Sequence, residues 1–448
     1  MRGFRSTLAL LAVFLGLLGY LYFVQSKKPN TSGSTEQKPK VFTIDADKVQ
    51  ELRIKLASGE TTALRKAKNT WSIVEPAEAA ADQTQVSEIP TTLAGLEQQR
   101  VVDDNAASLK DFGLAEPRID VAFKVAGEGD FRHLLIGDRT ATGGDLYAKL
   151  PNEKRVILIQ GITETTFNRS MFDLRDKTIL KFERDKVDAF ESTLKDGTTA
   201  QLVKAGADWK LVKPVQAPAD FGIAEGIISQ LQGAQMLALV APEAKTLKEY
   251  GLDKPEVTVT VGAGSTRATL LVGGKSPDGN VYARDAARPA VFTIPGALAN
   301  DLRKTAFDYR RKDLFEFRPF NANRFEITRG GQVLSFERTK GSGANPQDTW
   351  KEVAPASKNV DGSKLEGALL QTANLRADAF IDSPGPLAAL KTPAATIVVR
   401  FDDGKKEERV TIARVGQDVF ASRADQPGAA RLEAGRFDEA LKALDELK

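Results

Sequence analysis

Chemistry in this 448-residue chain is limited first by what it lacks: it carries one histidine, His133, and no cysteine. A tetrahedral zinc site needs several N or S ligands, and a hydrolytic triad needs a base held beside a nucleophile. One imidazole supplies neither. His133 falls in Phe131-Arg-His-Leu-Leu-Ile-Gly137, a stretch expected to be a strand, and reads as a residue on that strand's surface. Paired carboxylates occur at Asp103-Asp104 and Asp402-Asp403, the second running into Gly404 as a hairpin turn does. Glycoside hydrolysis needs two acids facing each other across a substrate, and nothing places a partner for either pair, so both read as solvated turns. Gly262-Ala-Gly264 lacks the third glycine of a dinucleotide loop, and with Gly127-Glu-Gly129 it reads as a hairpin loop. The expectation is a protein that is not an enzyme, with no cofactor and no metal.

What remains as candidate binding chemistry is cationic and aromatic. Arg175, Lys177, Arg310 and Lys312 recur in two similar phrases, Phe172-Asp-Leu-Arg-Asp-Lys-Thr-Ile-Leu-Lys-Phe182 and Phe307-Asp-Tyr-Arg-Arg-Lys-Asp-Leu-Phe-Glu-Phe317. They could hold an anionic partner; the plainer reading is ion pairs and caps at a junction between modules. Tyr147, Tyr282 and Phe420 occupy matched positions and could form a repeated platform for glycans; the plainer reading is inward-facing strand residues.

Those matches point to duplication. The three tryptophans open one phrase, Trp71-Ser-Ile-Val-Glu-Pro76, Trp209-Lys-Leu-Val-Lys-Pro214 and Trp350-Lys-Glu-Val-Ala-Pro355, at near-equal intervals. Asp82, Asp220 and Asp361 follow at a fixed distance. Phe112-Gly-Leu-Ala-Glu-Pro117 answers to Tyr250-Gly-Leu-Asp-Lys-Pro255 and loosely to Leu390-Lys-Thr-Pro393; Leu134-Leu-Ile-Gly137 answers to Leu270-Leu-Val-Gly273 and Val410-Thr-Ile-Ala413. The third copy is the most diverged and carries no closing phrase. The expected domains are three modules, 41–180, 181–315 and 316–448.

Each module must position these residues on strands. Leu52-Arg-Ile-Lys-Leu56 alternates apolar and polar residues as a half-buried strand does. Ser58-Gly59 turns the chain, Thr61 to Arg65 returns, and Trp71-Ser-Ile-Val74 forms a third strand whose Trp anchors the core. Asp82 or its neighbour should cap a helix carrying Val86, Ile89, Leu93 and Leu96 at helical spacing, with Pro90 interrupting or bending it. Strands should follow at Ile119–Val125, His133–Ile136, Leu146–Leu150 and Val156–Ile159, then a short helix near Thr163–Arg169. The fold class expected is α+β: three tandem antiparallel-sheet modules with about two helices each, after one N-terminal transmembrane helix. Gly341-Ser-Gly-Ala-Asn-Pro346 reads as a mobile loop inserted before Trp350.

The membrane segment is 1–25. The run from Ser6 to Ser26 carries no charge, and an 18-residue apolar helix from Thr7 to Val24 reaches about 27 Å, near the hydrocarbon thickness. Arg2 and Arg5 favour the N-terminus inside, putting the bulk on the periplasmic or extracellular face of an inner (cytoplasmic) membrane. The run lacks a small-x-small cleavage site, so an uncleaved anchor is expected. Residues 26–40 read as a flexible polar linker. Lys plus Arg total 63 against 60 acids, a net charge of +3 that supplies no field for nucleic acid.

The anchor, the Trp-x-x-Val-x-Pro phrase, the Gly-Leu-x-x-Pro turn, the Leu-Leu-Ile/Val-Gly strand and the Phe-Asp-x-Arg-x-Lys junction together resemble the bacterial domain of unknown function 4340 family, over nearly all of 1–320 and more loosely over 320–448. That resemblance implies a membrane-anchored envelope protein whose partners are an ABC-type permease and gliding-motility-like auxiliary subunits. It implies no catalytic residues. The function expected is an accessory or scaffold subunit of such a complex; the alternative is a stand-alone envelope module binding glycan or peptidoglycan.

Overall fold

The structure, a computed structural model, describes residues 38–341, 348–381 and 384–447. The expected membrane helix, most of the linker and the glycine-rich insertion before Trp350 lie outside the described residues. No helix among the described residues is long and apolar enough to cross a membrane.

The expected strands form, and two short ones that the sequence pattern did not place, Ala79–Ala80 and Arg100–Asp103, join them. In module one they are β1 (Val49–Leu56), β2 (Thr61–Ala67), β3 (Thr70–Glu75), β4 (Ala79–Ala80), β5 (Arg100–Asp103), β6 (Ile119–Val125), β7 (Arg132–Arg139), β8 (Asp145–Lys149) and β9 (Val156–Gln160). They pair antiparallel in the order β4-β3-β2-β1-β6-β7-β8-β9-β5. The second and third sheets are also nine-stranded, and in each the strands, counted from the start of the module, follow the same order. The triplication seen in the sequence is a triplication of topology. By compactness the chain divides into two units: residues 1–176, with the first sheet, and residues 177–448, with the other two.

The order explains the helix. β4 and β5 are adjacent in sequence but lie at opposite edges of the sheet, and the connection between them is the long helix α1 (Gln83–Gly95). Its buried Val86, Ile89 and Leu93 meet Leu52, Ile54, Leu64, Trp71, Phe123, Ile136 and Leu146 in one core. Alone, a helix this short is marginal in water; burying each of those side chains stabilises it by about 2 kcal/mol. The Asp82 carboxylate accepts from the amides of Thr84 and Gln85 at 3.0 and 3.1 Å. Asp220 and Asp361 cap the matching helices, Phe221–Gly233 and Gly362–Ala373, in the same way. Pro90 does not interrupt the helix: α1 runs on through it, with Pro90 itself buried. The ring sits against the core, where burial offsets the one backbone hydrogen bond that proline cannot make.

The tryptophans are core residues, 2%, 1% and 4% exposed at Trp71, Trp209 and Trp350. The Gln83 side chain accepts from the Trp71 amide at 2.8 Å and donates to its carbonyl at 2.9 Å, tying the start of α1 to β3. The prolines closing each phrase, Pro76, Pro214 and Pro355, all follow cis peptide bonds.

The two glycine markers are a contact pair. Gly113 and Gly251 end short 3₁₀ turns in the left-handed region, at φ 66° and 67°. That turn lies on the strand end at Gly137 or Gly273, where an added Cβ would sit 2.1 Å from the Phe112 carbonyl oxygen or 2.2 Å from that of Tyr250. Module three has lost both together. Ala413 takes the strand-end position and packs with Leu390, Phe420 and Ala429, and a six-residue helix, Pro384–Ala389, precedes Leu390.

Helices are fewer than two full ones in the first two modules. Apart from the long helix, these have only pieces of three to six residues, such as Met171–Leu174, Gly296–Asp301 and Ala306–Tyr309. Module three ends instead in the 12-residue helix Ala434–Asp445, packed on Gly362–Ala373. Strand-like pairing also begins within the segment expected to be a linker. The Val41 amide donates to the Leu96 carbonyl and the Gln98 amide to that of Pro39, both at 2.8 Å, and Lys40 bridges Glu97. The backbone groups freed at the end of α1 recruit this segment.

Candidate functional site

The second repeated phrase builds a charged cluster in the second unit. The Thr305 amide donates to the Asp308 carboxylate at 2.8 Å, opening the one-turn helix Ala306–Tyr309. Tyr309 is fully buried, packs on Phe190 at 5.5 Å between centroids, and has its hydroxyl pushed up far beyond the usual range by burial and by Asp308 and Asp301. The chain then runs extended. Arg310 bridges Ala219 of module two, and Asp313 bridges Arg376 of module three. The Leu314 amide donates to the Leu375 carbonyl at 3.0 Å and the Ala377 amide to that of Lys312 at 2.8 Å. This phrase is a strap pairing with both modules.

Its cations are engaged along it. Arg310 is buried; its guanidinium lies 3.7 Å from the Phe380 ring centre and donates to the Pro427 carbonyl at 2.7 Å. The Lys312 ammonium stands 4.5 Å over Phe307, whose ring meets Phe380 edge-on. Arg311, between them, pairs with Glu316 and lies 3.7 Å from Asp425. Arg423 reaches Glu408 at 3.1 Å and Asp425 at 2.8 Å, and Glu408 accepts from the backbone of Glu316 and Phe317. Burial works to raise Asp425, but Arg423 and Arg311 outweigh it and hold the carboxyl below its ordinary value. Guanidinium over a desolvated ring and carboxylates accepting several donors are among the stronger polar contacts proteins make.

The first phrase has the same local form. The Asp173 carboxylate accepts from the Ser170 amide at 2.9 Å, and half-buried Arg175 bridges Ala81 within the first unit. Within the second unit, half-buried Lys177 accepts from the Met236 amide at 2.8 Å, and Thr178 bridges Gln235.

The three aromatic candidates face their own modules. Tyr147 is half-buried and edge-on to Phe112 at 5.0 Å; Tyr282 repeats this with Tyr250 at 5.1 Å; Phe420 is 6% exposed in the cluster with Leu390. The ring of the strand and the ring of the Gly-Leu turn are thus partners, and Phe420 in particular is no exposed platform.

His133 is half-buried on β7 with its Nδ1 at 2.8 Å from Asp120 on β6. Asp402, Asp403 and Gly404 form a hairpin turn at positive φ, and Asp402 pairs with Lys406. Among the described residues no cluster of three His, Asp or Glu side chains could hold a metal.

Sequence reasoning missed two carboxylates. Glu164, 8% exposed, receives Arg118 and Arg139 at 2.6 Å each; burial opposes ionisation, but the two guanidiniums outweigh it and keep Glu164 below the ordinary glutamate range. Glu352 is 4% exposed, pairs with Lys358 at 3.1 Å, and occupies the register position of Ile73 and Leu211. The signal for Glu352 was in the repeat: Trp350-Lys-Glu set against Trp71-Ser-Ile and Trp209-Lys-Leu.

Comparison with known proteins gives one family. The family described as Domain of unknown function (DUF4340) matches residues 71–213 and 209–395. No curated protein matches. Among solved structures, a Eubacterium rectale protein assigned as a DNA polymerase III beta subunit is 9% identical over 89% of this chain and 93% of its own, with a TM-score of 0.17. The DNA polymerase III subunit beta of Pseudomonas aeruginosa is 9% identical over 88% and 93%, also at 0.17. At such scores neither fold nor activity carries over.

Proposed function

This chain belongs to the DUF4340 family, and on that premise we propose that it is a non-enzymatic scaffold, anchored at the cell envelope by its N-terminal apolar segment and serving as accessory subunit of an ABC-transporter-like membrane complex. One observation carries the scaffold reading. The residues that recur between modules act in architecture: the strap cations in pairing, the aromatics in packing behind the Gly-Leu turn, the aspartates as helix caps. A chain whose repeated side chains serve its own sheets presents repeated surfaces, which suits holding other subunits in place.

The anchor half of the reading rests on the uncharged run from Ser6 to Ser26. The test is affinity purification of the full chain from detergent-solubilised membranes, with the bound proteins identified by mass spectrometry. A permease and an ATPase recovered in near-stoichiometric amounts would support the proposal. The chain recovered with neither, or found in the soluble fraction, would end it.

A further inference from the structure

Modules one and three share a concavity at one corner of the sheet, where the long helix ends beside the end of the strand carrying Leu158 or Arg431. In module one it measures about 330 Å³ and is lined by Thr92, Leu96, Glu97, Gln160 and Thr163 among others. In module three it measures about 660 Å³, and Arg318, Arg376 and Arg436 line it together with Asp313, Asp378 and Glu433. Pairing sets the equivalence. Glu97 and Arg376 each bridge the segment that enters the module, and Gln160 and Glu433 lie two residues beyond the strand partners of Tyr147 and Phe420.

The arginines belong to module three alone. Arg318 precedes the first strand of its module where Asp45 and Glu183 precede theirs; Arg376 answers to Glu97 and Gln235, and Arg436 to Thr163 and Leu298. None of these counterparts is basic. Arg376 pairs with Asp313 at 2.9 Å and Arg436 with Glu433 at 3.6 Å, while Asp378 is taken by Arg431 at 2.9 Å. Arg318 is half-buried, its Nη1 donates to the Phe317 carbonyl at 2.9 Å, and among the described residues it makes no ion pair. Each acid of the lining is thus matched, and one guanidinium is left over. The rim is apolar where the other modules are polar. Phe320, 76% exposed on the turn Pro319–Asn321, stands in place of Asp47 and Asp185; Leu370, 47% exposed, stands in place of Thr91 and Ser229. Arg338 ties that turn to the helix Gly362–Ala373, reaching the Phe320 carbonyl and, at 3.5 Å, Glu366. Leu370 is one helical turn beyond Glu366, and Asn374, in the cavity lining, is one turn further.

We propose that this cavity takes the free C-terminal end of a partner polypeptide whose last residue is apolar. The terminal carboxylate pairs with Arg318, the last side chain lies on Phe320 and Leu370, and the last backbone N–H groups face the carboxylates of the lining. Guanidinium–carboxylate pairs are among the strong hydrogen bonds of proteins, and capture of a chain end is a recurring mode of peptide recognition. Charge balance selects this ligand over a polyanion. A phosphate group would set about two negative charges against Asp313, Asp378 and Glu433, whereas a chain end brings one, with donors beside it. The site goes beyond the scaffold reading and does not depend on the partner being a transporter subunit.

The probe is the peptide Gly-Gly-Ala-Ala-Leu, carrying an uncharged fluorophore at its N-terminus and a free C-terminal carboxylate. It is titrated with the full chain in detergent micelles and followed by anisotropy. Saturable binding with a Kd below about 1 mM is expected. The same peptide ending in a carboxamide should bind roughly tenfold more weakly or worse. Arg318→Gln and Phe320→Asp in the chain should each weaken binding by a similar factor. Phe320→Asp restores the residue of the other modules at an exposed position, so its effect separates loss of the site from loss of the fold. Lys254→Gln, at an exposed lysine of module two, should leave binding unchanged. No saturable binding up to about 1 mM would overturn the proposal. So would equal binding of the carboxamide, equal binding by either variant chain, or displacement of the peptide by inorganic phosphate at the peptide's own concentration, which would make this a simple anion site.

Discussion

Gly273→Ala tests how the modules are locked. Gly273 ends a strand against the Tyr250–Leu252 turn, and a Cβ there would lie 2.2 Å from the Tyr250 carbonyl oxygen and 3.0 Å from Leu252 Cγ. Ordinary carbon–oxygen contacts fall near 3.3 Å, so turn and strand must separate by about 1 Å. The turn cannot swing away freely: Leu252 is buried and its amide donates to the Leu247 carbonyl at 3.0 Å. The obstacle is backbone, which places the cost at the upper end of overpacking, about 3 kcal/mol. For a unit of this size that lowers the melting temperature by on the order of 6 °C or more. Calorimetry of the full chain reads it. Gly226→Ala is the matched control: Gly226 is exposed inside the helix Phe221–Gly233 with nothing within 4 Å of the added carbon, so the same methyl should stabilise by about 0.5–1 kcal/mol. Opposite signs for one chemical change are the signature. A Gly273→Ala chain that melts within a degree of wild type would refute the reasoning.

Other outcomes follow from the same structure. Asp220→Ala, which removes the carboxylate accepting from the Ile223 amide at 3.0 Å, should cost about 1 kcal/mol in urea unfolding. Glu352→Leu, restoring the apolar residue of the other modules while leaving Lys358 44% exposed to water, should raise stability by about 1 kcal/mol. Glu164 has its pKa lowered by folding, so its contribution is present above the ordinary value of 4.5 and is lost as pH falls through the lower folded value. Glu164→Gln should therefore flatten the acid limb of stability against pH below about 4.5, and an unchanged limb would count against the Arg118–Glu164–Arg139 cluster. Arg310→Lys keeps the charge but loses the planar stacking on Phe380 and the bond to Pro427; a loss of about 1–2 kcal/mol is expected.

The sequence alone determined what is local or repeated. Sequence pattern placed β6 and β9 within a residue of their observed bounds and β1 three residues short at its start, the segment at Asp82 announced its helix, and the tryptophan phrase counted the modules, because each of these is set by neighbours a few residues away. Only the tertiary structure decided which distant pieces meet. That β4 and β5 stand at opposite edges, and so stretch the long helix across the sheet, depends on pairings between strands far apart in the chain. That Tyr147 turns toward Phe112, that Arg310 disappears beneath Phe380, and that Pro39–Val41 pairs with the chain after α1 are likewise settled by which backbone and ring surfaces other segments leave open. Local propensity fixes a residue's conformation; the competition among segments for unsatisfied edges and apolar floor fixes its company, and no spacing in the sequence records that competition.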